Sequence, residues 1–187
     1  MANRPLLRPA ILMERCLLGV PQPEGFSVRR PALLAVSEWK RVGYLCVALD
    51  CQPGRVSDGR ATRVEAARQR AIDVALRGFG GSLDGTFVYP RPGEEVDDDV
   101  PRRSLFTRLV LEAANELRID LARSWLLAAS DDAIAGARIA GIPCCAIGDD
   151  RDRAPDDVPR ADATCADLGS ARAMIEARRA RAVERAR

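Results

Sequence analysis

Residues Ser124–Gly141 read SWLLAASDDAIAGARIAG: an apolar run, two acids, and a small-residue pattern that ends in glycine. The run predicts a buried strand over Ser124–Ala129. The pattern predicts a helix over Asp131–Ala140, because its apolar positions recur at helical spacing and a glycine is a typical helix stop. Ser130 is a good helix cap, and the acids favour the positive end of the helix dipole. A strand followed directly by a helix is the building unit of α/β proteins.

The same alternation extends to both ends of the chain. We predict further strands over Ala10–Val20, Gly43–Leu49, Gly85–Tyr89 and Ile142–Ile147, a short sixth strand over Ala161–Ala166, and helices over Pro31–Arg41, Thr62–Leu76, Ser104–Leu117 and Ser170–Arg187. Thr62 and Glu65 have the spacing of a capping box at the start of their helix. The turn-rich Asp50–Gly59, the acidic Pro90–Pro101 and the charged Gly148–Arg160 are predicted loops.

Strands separated by helices predict a three-layer, Rossmann-like α/β fold, in which a parallel sheet carries helices on both faces. The sequence contains no internal repeat and no linker long enough to divide it. We therefore expect one domain over residues 1–187, with a core over about 10–176 and a helical tail over 170–187.

Composition excludes several classes of function. The chain has no histidine, which rules out Ser-His-Asp catalysis, Cys-His proteolysis and histidine metal sites. The 29 basic and 27 acidic side chains nearly cancel, which argues against a nucleic-acid surface. No apolar run is long enough for a membrane helix, and Met1–Ala10 has no signal-peptide pattern, so we expect a cytoplasmic protein. The six cysteines form no C-x-x-C pair and are expected to be free thiols that fill the core.

Ligands of parallel α/β sheets bind at the carboxyl ends of the strands. Four segments follow the predicted strands or open the helix beside them: Glu14–Cys16, Asp50–Gly54, Arg102–Ser104 and Ala128–Asp132. These segments are the candidate functional site.

At these segments the chain resembles the haloacid dehalogenase (HAD) superfamily, and within it the subfamily IIIA phosphatases of heptose bisphosphate and histidinol phosphate. Glu14-Arg15-Cys16-Leu17 stands where the family has D-R-D-G, and Asp50-Cys51-Gln52-Pro53-Gly54 where it has T-N-Q-S-G. Asp131–Gly141 matches the family helix D-x-x-A-G-x-x-A-G in all but its leading acid, and Ala161-Asp162 resembles its closing A-D segment. The resemblance covers residues 10–176 and implies a HAD-like fold with no cap domain or a minimal one.

The resemblance also implies five catalytic roles: an aspartate nucleophile, an aspartate acid/base, a hydroxyl that binds phosphate, a lysine, and a late aspartate that holds Mg²⁺. The residues at these positions are, in the same order, Glu14, Cys16, Asp50, Ser104 and Ala129. None keeps the residue type of the family. A thiol is a poor proton donor and a poor ligand for a hard cation. A carboxylate in place of the phosphate-binding hydroxyl would repel a phosphate oxygen. Two unit charges about 4 Å apart repel each other by roughly 4 kcal/mol at an effective dielectric constant of 20.

The favoured hypothesis is therefore a HAD-like pseudoenzyme, which has lost phosphatase activity and acts by binding or regulation. In this interpretation Arg15 is a surface side chain and Cys16 packs inward. A protein partner or a second copy would then use exposed apolar surface near Trp39, Phe79 or Phe87. We expect no resident cofactor, no zinc-stabilised loop near Tyr89–Val100, and neither nucleic acid nor membrane as partner.

Three alternatives remain open. The first is an active Mg²⁺-dependent phosphomonoesterase with Glu14 as nucleophile and Asp131 or Asp132 as the metal ligand. In the second, the acids Glu14, Asp50, Asp131 and Asp132 hold Mg²⁺ or Ca²⁺ without turnover. The third is a different doubly wound α/β protein, such as a receiver-like regulatory domain. The sequence contains no glycine-rich phosphate loop that would favour a nucleotide site.

Overall fold

A computed structural model describes residues 6–22, 25–51, 59–89, 100–148 and 160–185. The strands are β1 (Ala10–Glu14), β2 (Gly19–Gln22), β3 (Gly25–Val28), β4 (Leu45–Cys51), β5 (Gly85–Tyr89), β6 (Trp125–Ala128), β7 (Cys144–Ile147) and β8 (Ala163–Cys165). The α-helices are α1 (Arg30–Arg41), α2 (Gly59–Gly78), α3 (Arg102–Leu117), α4 (Asp131–Ala140) and α5 (Leu168–Arg185). Short 3-10 turns occupy Arg15–Leu17 and Leu121–Arg123.

Six of the described strands form one parallel sheet in the order β5-β4-β1-β6-β7-β8. β1 lies between β4 and β6, so the chain leaves it first toward one side of the sheet and later toward the other. Such a reversal opens a crevice at the carboxyl ends of the strands. Glu14, the last residue of β1, lies at this crevice beside Leu49 of β4.

Alternate residues of the strands supply two separate cores. Leu12, Val47 and Leu126 face α3 and α4, whereas Met13, Ala48 and Leu127 face α1, α2 and α5. This two-sided burial is why the central strands read as continuous apolar runs rather than as alternating patterns. The predicted three-layer α/β fold is confirmed.

Helices α3 and α4 pack closely because one of their contact residues is a glycine. A Cβ at Gly136 of α4 would lie 2.7 Å from Cβ of Phe106, 3.0 Å from the Arg103 carbonyl oxygen and 3.1 Å from the Thr107 nitrogen. The Thr107 hydroxyl donates a hydrogen bond to the Gly136 carbonyl over 3.3 Å. The two backbones are thus in direct contact, which fixes α4 relative to the sheet.

The predicted strand over Ala10–Val20 is wrong in its second half. The strand ends at Glu14, a 3-10 turn follows, and β2 pairs with β3 as an antiparallel hairpin with Gly19 opposite Val28. The hairpin packs on α2, where the Arg68 guanidinium lies 5.8 Å from the centre of the Phe26 ring. Among the described residues, this hairpin contains the strands that do not belong to the parallel sheet.

Several predicted surface and capping features are also corrected. Helix α2 begins at Gly59, three residues before the predicted start at Thr62. Trp39 and Phe87 are buried in the two cores, because each lies on the apolar face of its element, and they offer no exposed patch. Phe79 is 40% exposed at the end of α2, as expected. Four of the six cysteines are buried as predicted, namely Cys46, Cys51, Cys144 and Cys145.

None of the helices in the described ranges combines the length and the apolar character that a membrane crossing requires. Two of the predicted loops are Pro90–Pro101 and Gly148–Arg160. Residues 90–99 of the first and 149–159 of the second lie outside the described residues.

Candidate functional site

The Glu14 carboxyl group lies at the centre of the crevice and is engaged on both oxygens. Its Oε2 accepts hydrogen bonds from the backbone N–H of Ala129 and, over 2.7 Å, from that of Ser130. Its Oε1 accepts the Ser130 hydroxyl over 2.8 Å. We call these hydrogen bonds the Glu14 clasp, since they connect the end of β1 to the start of α4. Burial raises the pKa of Glu14, while the hydrogen bonds and the charge of Arg102 act in the opposite direction.

Ser130 has two roles at this junction. Its hydroxyl donates to Glu14 and also accepts the N–H of Ala133 over 3.3 Å, which caps α4. The predicted cap is therefore confirmed, and so is the end of the helix at Gly141, which adopts a positive φ of 74°. Because the cap and the clasp share one serine, the first turn of α4 is fixed directly against β1.

Arg15, predicted on the surface, is buried, with 3% of its side chain exposed. Its guanidinium pairs with Asp50 at the end of β4 over 3.3 Å and with Glu65 of α2. Glu65 also pairs with Arg68 one turn further along α2. We call Arg15, Asp50, Glu65 and Arg68 the ionic cluster. The guanidinium is buried because two carboxylates from neighbouring elements converge on it, which no local pattern in the sequence indicates.

Asp50 therefore has a cationic partner within the chain. Its charge, expected to face a phosphate, points instead toward Arg15. The neighbouring positions Gln52, Pro53 and Gly54, which correspond to the rest of the family's second motif, lie outside the described residues.

Cys16 is an exposed residue and does not pack inward as predicted. The 3-10 turn directs Arg15 inward, and the following residue then faces out. Desolvation of its sulfur and the negative charges of Glu14 and Asp50 raise the pKa of the thiol to about 11. The thiol is therefore protonated at neutral pH.

Alkylation of Cys16 tests this arrangement. At pH 8 we expect iodoacetamide to modify Cys16 about a hundredfold more slowly in the folded protein than in the unfolded chain, because the thiolate fraction falls tenfold for each unit of pKa. The tryptic peptide Cys16–Arg29 contains no other cysteine, so mass spectrometry can follow its modification with time. The protein unfolded in guanidinium is the control. Equal rates in the two states would contradict the raised pKa.

The predicted lysine position, Ser104, is exposed on the first turn of α3 and is not among the groups that act on Glu14. Arg102, two residues earlier, supplies the positive charge instead, and this charge lowers the pKa of Glu14. Its guanidinium donates to the Cys51 carbonyl over 3.1 Å and lies 3.8 Å from the Asp132 carboxylate. The sequence placed Arg102 in the candidate segment Arg102–Ser104 but gave it no role, because the lysine position was assigned to Ser104. The signal for its role was the pair Arg102-Arg103 just before the predicted start of the helix.

Ala129 is exposed, and its backbone N–H is part of the Glu14 clasp. Asp131 and Asp132 lie in the first turn of α4, with Asp132 paired to Arg102. The structure thus brings together Glu14, Cys16, Asp50 and Ala129, and leaves Ser104 outside. Across residues 6–22, 25–51, 59–89, 100–148 and 160–185, no three His, Cys, Asp or Glu side chains are grouped so as to hold a metal ion.

The strand order and the helices on both faces define a three-layer, Rossmann-like α/β fold, with charged groups at the carboxyl edge of its sheet. No family model matches the chain, and no curated protein matches it. Among solved structures it is similar to D,D-heptose 1,7-bisphosphate phosphatase from B. bronchiseptica, complexed with magnesium and phosphate. The two are 19% identical, with a TM-score of 0.74 over 91% of this chain and 99% of that chain.

Two further solved structures extend this likeness. A putative HAD-like phosphatase from Mesorhizobium loti is 21% identical, with a TM-score of 0.69 over 95% of this chain and 91% of that chain. D,D-heptose 1,7-bisphosphate phosphatase from Burkholderia thailandensis is 15% identical, with a TM-score of 0.69 over 90% of this chain and 99% of that chain. The structural neighbours are HAD-superfamily phosphatases, and this chain has their fold.

Proposed function

We propose that the chain is a HAD-like protein, related to heptose-bisphosphate and histidinol-phosphate phosphatases, that does not hydrolyse phosphomonoesters and acts by binding a partner. The observation that carries the proposal is the Glu14 clasp. The carboxyl group at the position of the family nucleophile uses both of its oxygens within the chain.

A nucleophilic carboxylate must present a lone pair to phosphorus in the geometry of attack. The clasp occupies three of the roughly four lone-pair sites of the Glu14 carboxylate and holds both oxygens against Ala129 and Ser130. Catalysis requires instead that reacting groups are held in place beforehand, and a displacement of about 1 Å can cost about 10²-fold. The geometry therefore opposes attack by Glu14.

The other groups of the crevice support the same conclusion. The Cys16 thiol, with a pKa of about 11, is a weak acid for protonating a leaving alkoxide. Asp50 has no hydroxyl to offer a phosphate, and its carboxylate is paired with Arg15. Uncatalysed phosphomonoester hydrolysis is so slow that enzymes accelerate it by up to about 10²¹-fold. Among the described residues, Arg102 is the cation whose charge lowers the pKa of Glu14, and one cation is far from sufficient for such a rate.

The expected result with purified full-length protein and Mg²⁺ is no hydrolysis above buffer of p-nitrophenyl phosphate, heptose bisphosphate or histidinol phosphate. Phosphate release measured over hours provides the test. The matched control carries Glu14→Asp, Cys16→Asp, Asp50→Thr and Ala129→Asp, which restores family residues at four of the five positions. Hydrolysis by the wild type that disappears in Glu14→Gln would refute the proposal and establish the phosphomonoesterase alternative.

The proposed mode of action is binding to a protein partner or to a second copy in the cytoplasm. The near balance of 29 basic and 27 acidic side chains favours a protein over a nucleic acid. Phe79, in the turn that follows α2, is exposed, whereas Trp39 and Phe87 are buried.

A further inference from the structure

We infer that the Glu14 clasp takes the place of a divalent cation, so that the start of α4 and the end of β1 are held together without Mg²⁺. The inference extends the proposed function to the metal requirement of the site. A structural neighbour was crystallised with magnesium, and the HAD resemblance places a metal-binding aspartate at position 129. The residues of this chain do not fit that metal.

The first reason lies in the groups that surround the Glu14 carboxyl. Mg²⁺ is bound by oxygen atoms in a near-octahedral arrangement. Here the carboxyl faces hydrogen-bond donors, namely the backbone N–H groups of Ala129 and Ser130 and the hydroxyl of Ser130. A cation placed among these donors would meet their positively polarised hydrogens.

The second reason is the distribution of charge. Arg102 already brings a positive charge to Glu14, and Asp132, the nearest acid on α4 to that guanidinium, pairs with it. Position 129 carries a methyl group, which cannot bind a metal. The amino end of a helix carries roughly half a positive charge, so α4 itself supplies the partner that a carboxyl group at this place needs.

The third reason is the length of the side chain. Glutamate is one methylene longer than aspartate, and this places its oxygens on the backbone of Ala129 and Ser130 across the gap between β1 and α4. Glu14 is only 7% exposed, which leaves little room beside its carboxyl group for the water molecules that a hydrated Mg²⁺ would bring.

Thermal unfolding of the full-length protein tests the inference. We expect the midpoint to be unchanged by millimolar Mg²⁺ and by EDTA. Glu14→Gln keeps the length and an accepting oxygen, and its amide can donate to the Ser130 hydroxyl. Its midpoint should therefore lie within about 2 °C of the wild type. Glu14→Met fills a similar volume without a comparable acceptor and should lower the midpoint by roughly 3–10 °C.

The results that contradict the inference are distinct from those that contradict the proposed function. An unfolding midpoint that rises with Mg²⁺ in the wild type but not in Glu14→Gln would overturn the inference that the clasp replaces the cation, even if no substrate is hydrolysed. Equal midpoints for Glu14→Gln and Glu14→Met would also overturn it. Hydrolysis that EDTA does not affect would refute the proposed function and leave the clasp intact.

Discussion

Replacement of Arg15 by methionine is expected to lower the free energy of unfolding by about 3–5 kcal/mol, the range for breaking a buried ion pair from one side. Arg15 is 3% exposed, and its partners Asp50 and Glu65 are only 15% and 24% exposed. Without the guanidinium, two carboxylates from different elements would remain close together in a poorly solvated place. Urea unfolding followed by circular dichroism gives the change directly.

The exposed pair of Arg41 and Glu38 on α1 provides a matched control. The Arg41 side chain is 70% exposed, and exposed pairs contribute little to stability. We therefore expect Arg41→Met to leave the midpoint of unfolding unchanged. If Arg15→Met unfolds at the same urea concentration as Arg41→Met, the ionic cluster does not stabilise the fold.

Substitution of alanine for Gly136 is the second change with a large expected effect. The added Cβ would meet Cβ of Phe106 at 2.7 Å and backbone atoms of Arg103 and Thr107 at 3.0 and 3.1 Å. None of these atoms is the flexible end of a side chain, so α3 and α4 must move apart. Overpacking of this kind costs about 1–3 kcal/mol, which corresponds to a fall in the unfolding midpoint of roughly 3–10 °C.

Gly78, at the end of α2, separates this steric effect from the general effect of removing a helical glycine. Nothing lies within 4 Å of a Cβ built at Gly78, so alanine there should be neutral or stabilising by up to about 1 kcal/mol. Calorimetry of both variants makes the comparison. Equal midpoints for Gly136→Ala and Gly78→Ala would show that α3 and α4 can move apart without a loss of stability.

Local signals were sufficient for much of the fold. The helix Asp131–Ala140 and the strand Gly85–Tyr89 have the predicted bounds, because a capping serine, a terminal glycine and a short run of β-formers are features of adjacent residues. The β2–β3 hairpin was missed, since Gly19–Gln22 continues an apolar run and the turn residues Pro23-Glu24-Gly25 were not interpreted as a hairpin signal. Its pairing depends on packing against α2, which adjacent residues do not encode.

The site was predictable to a similar degree. The rule that parallel strands present their carboxyl ends at one edge correctly brought Glu14, Asp50 and Ala129 together. The burial of Arg15 could not be read from its neighbours, because its partner Glu65 is 50 positions away in the chain (65 − 15). Arg102 belonged to a candidate segment but received no role, because the lysine position was aligned with Ser104, and a two-residue shift at a helix start leaves the hydrophobic pattern unchanged.

The Glu14 clasp also has an evolutionary consequence. Under the proposed function, Glu14 stands at the family's nucleophile position and serves the fold instead, so substitution by aspartate would remove its bonds to Ala129 and Ser130 without supplying the other catalytic groups. Each intermediate genotype on the way back would be less stable and still inactive. If the proposed function holds, a loss of activity of this kind is far harder for natural selection to reverse than to produce.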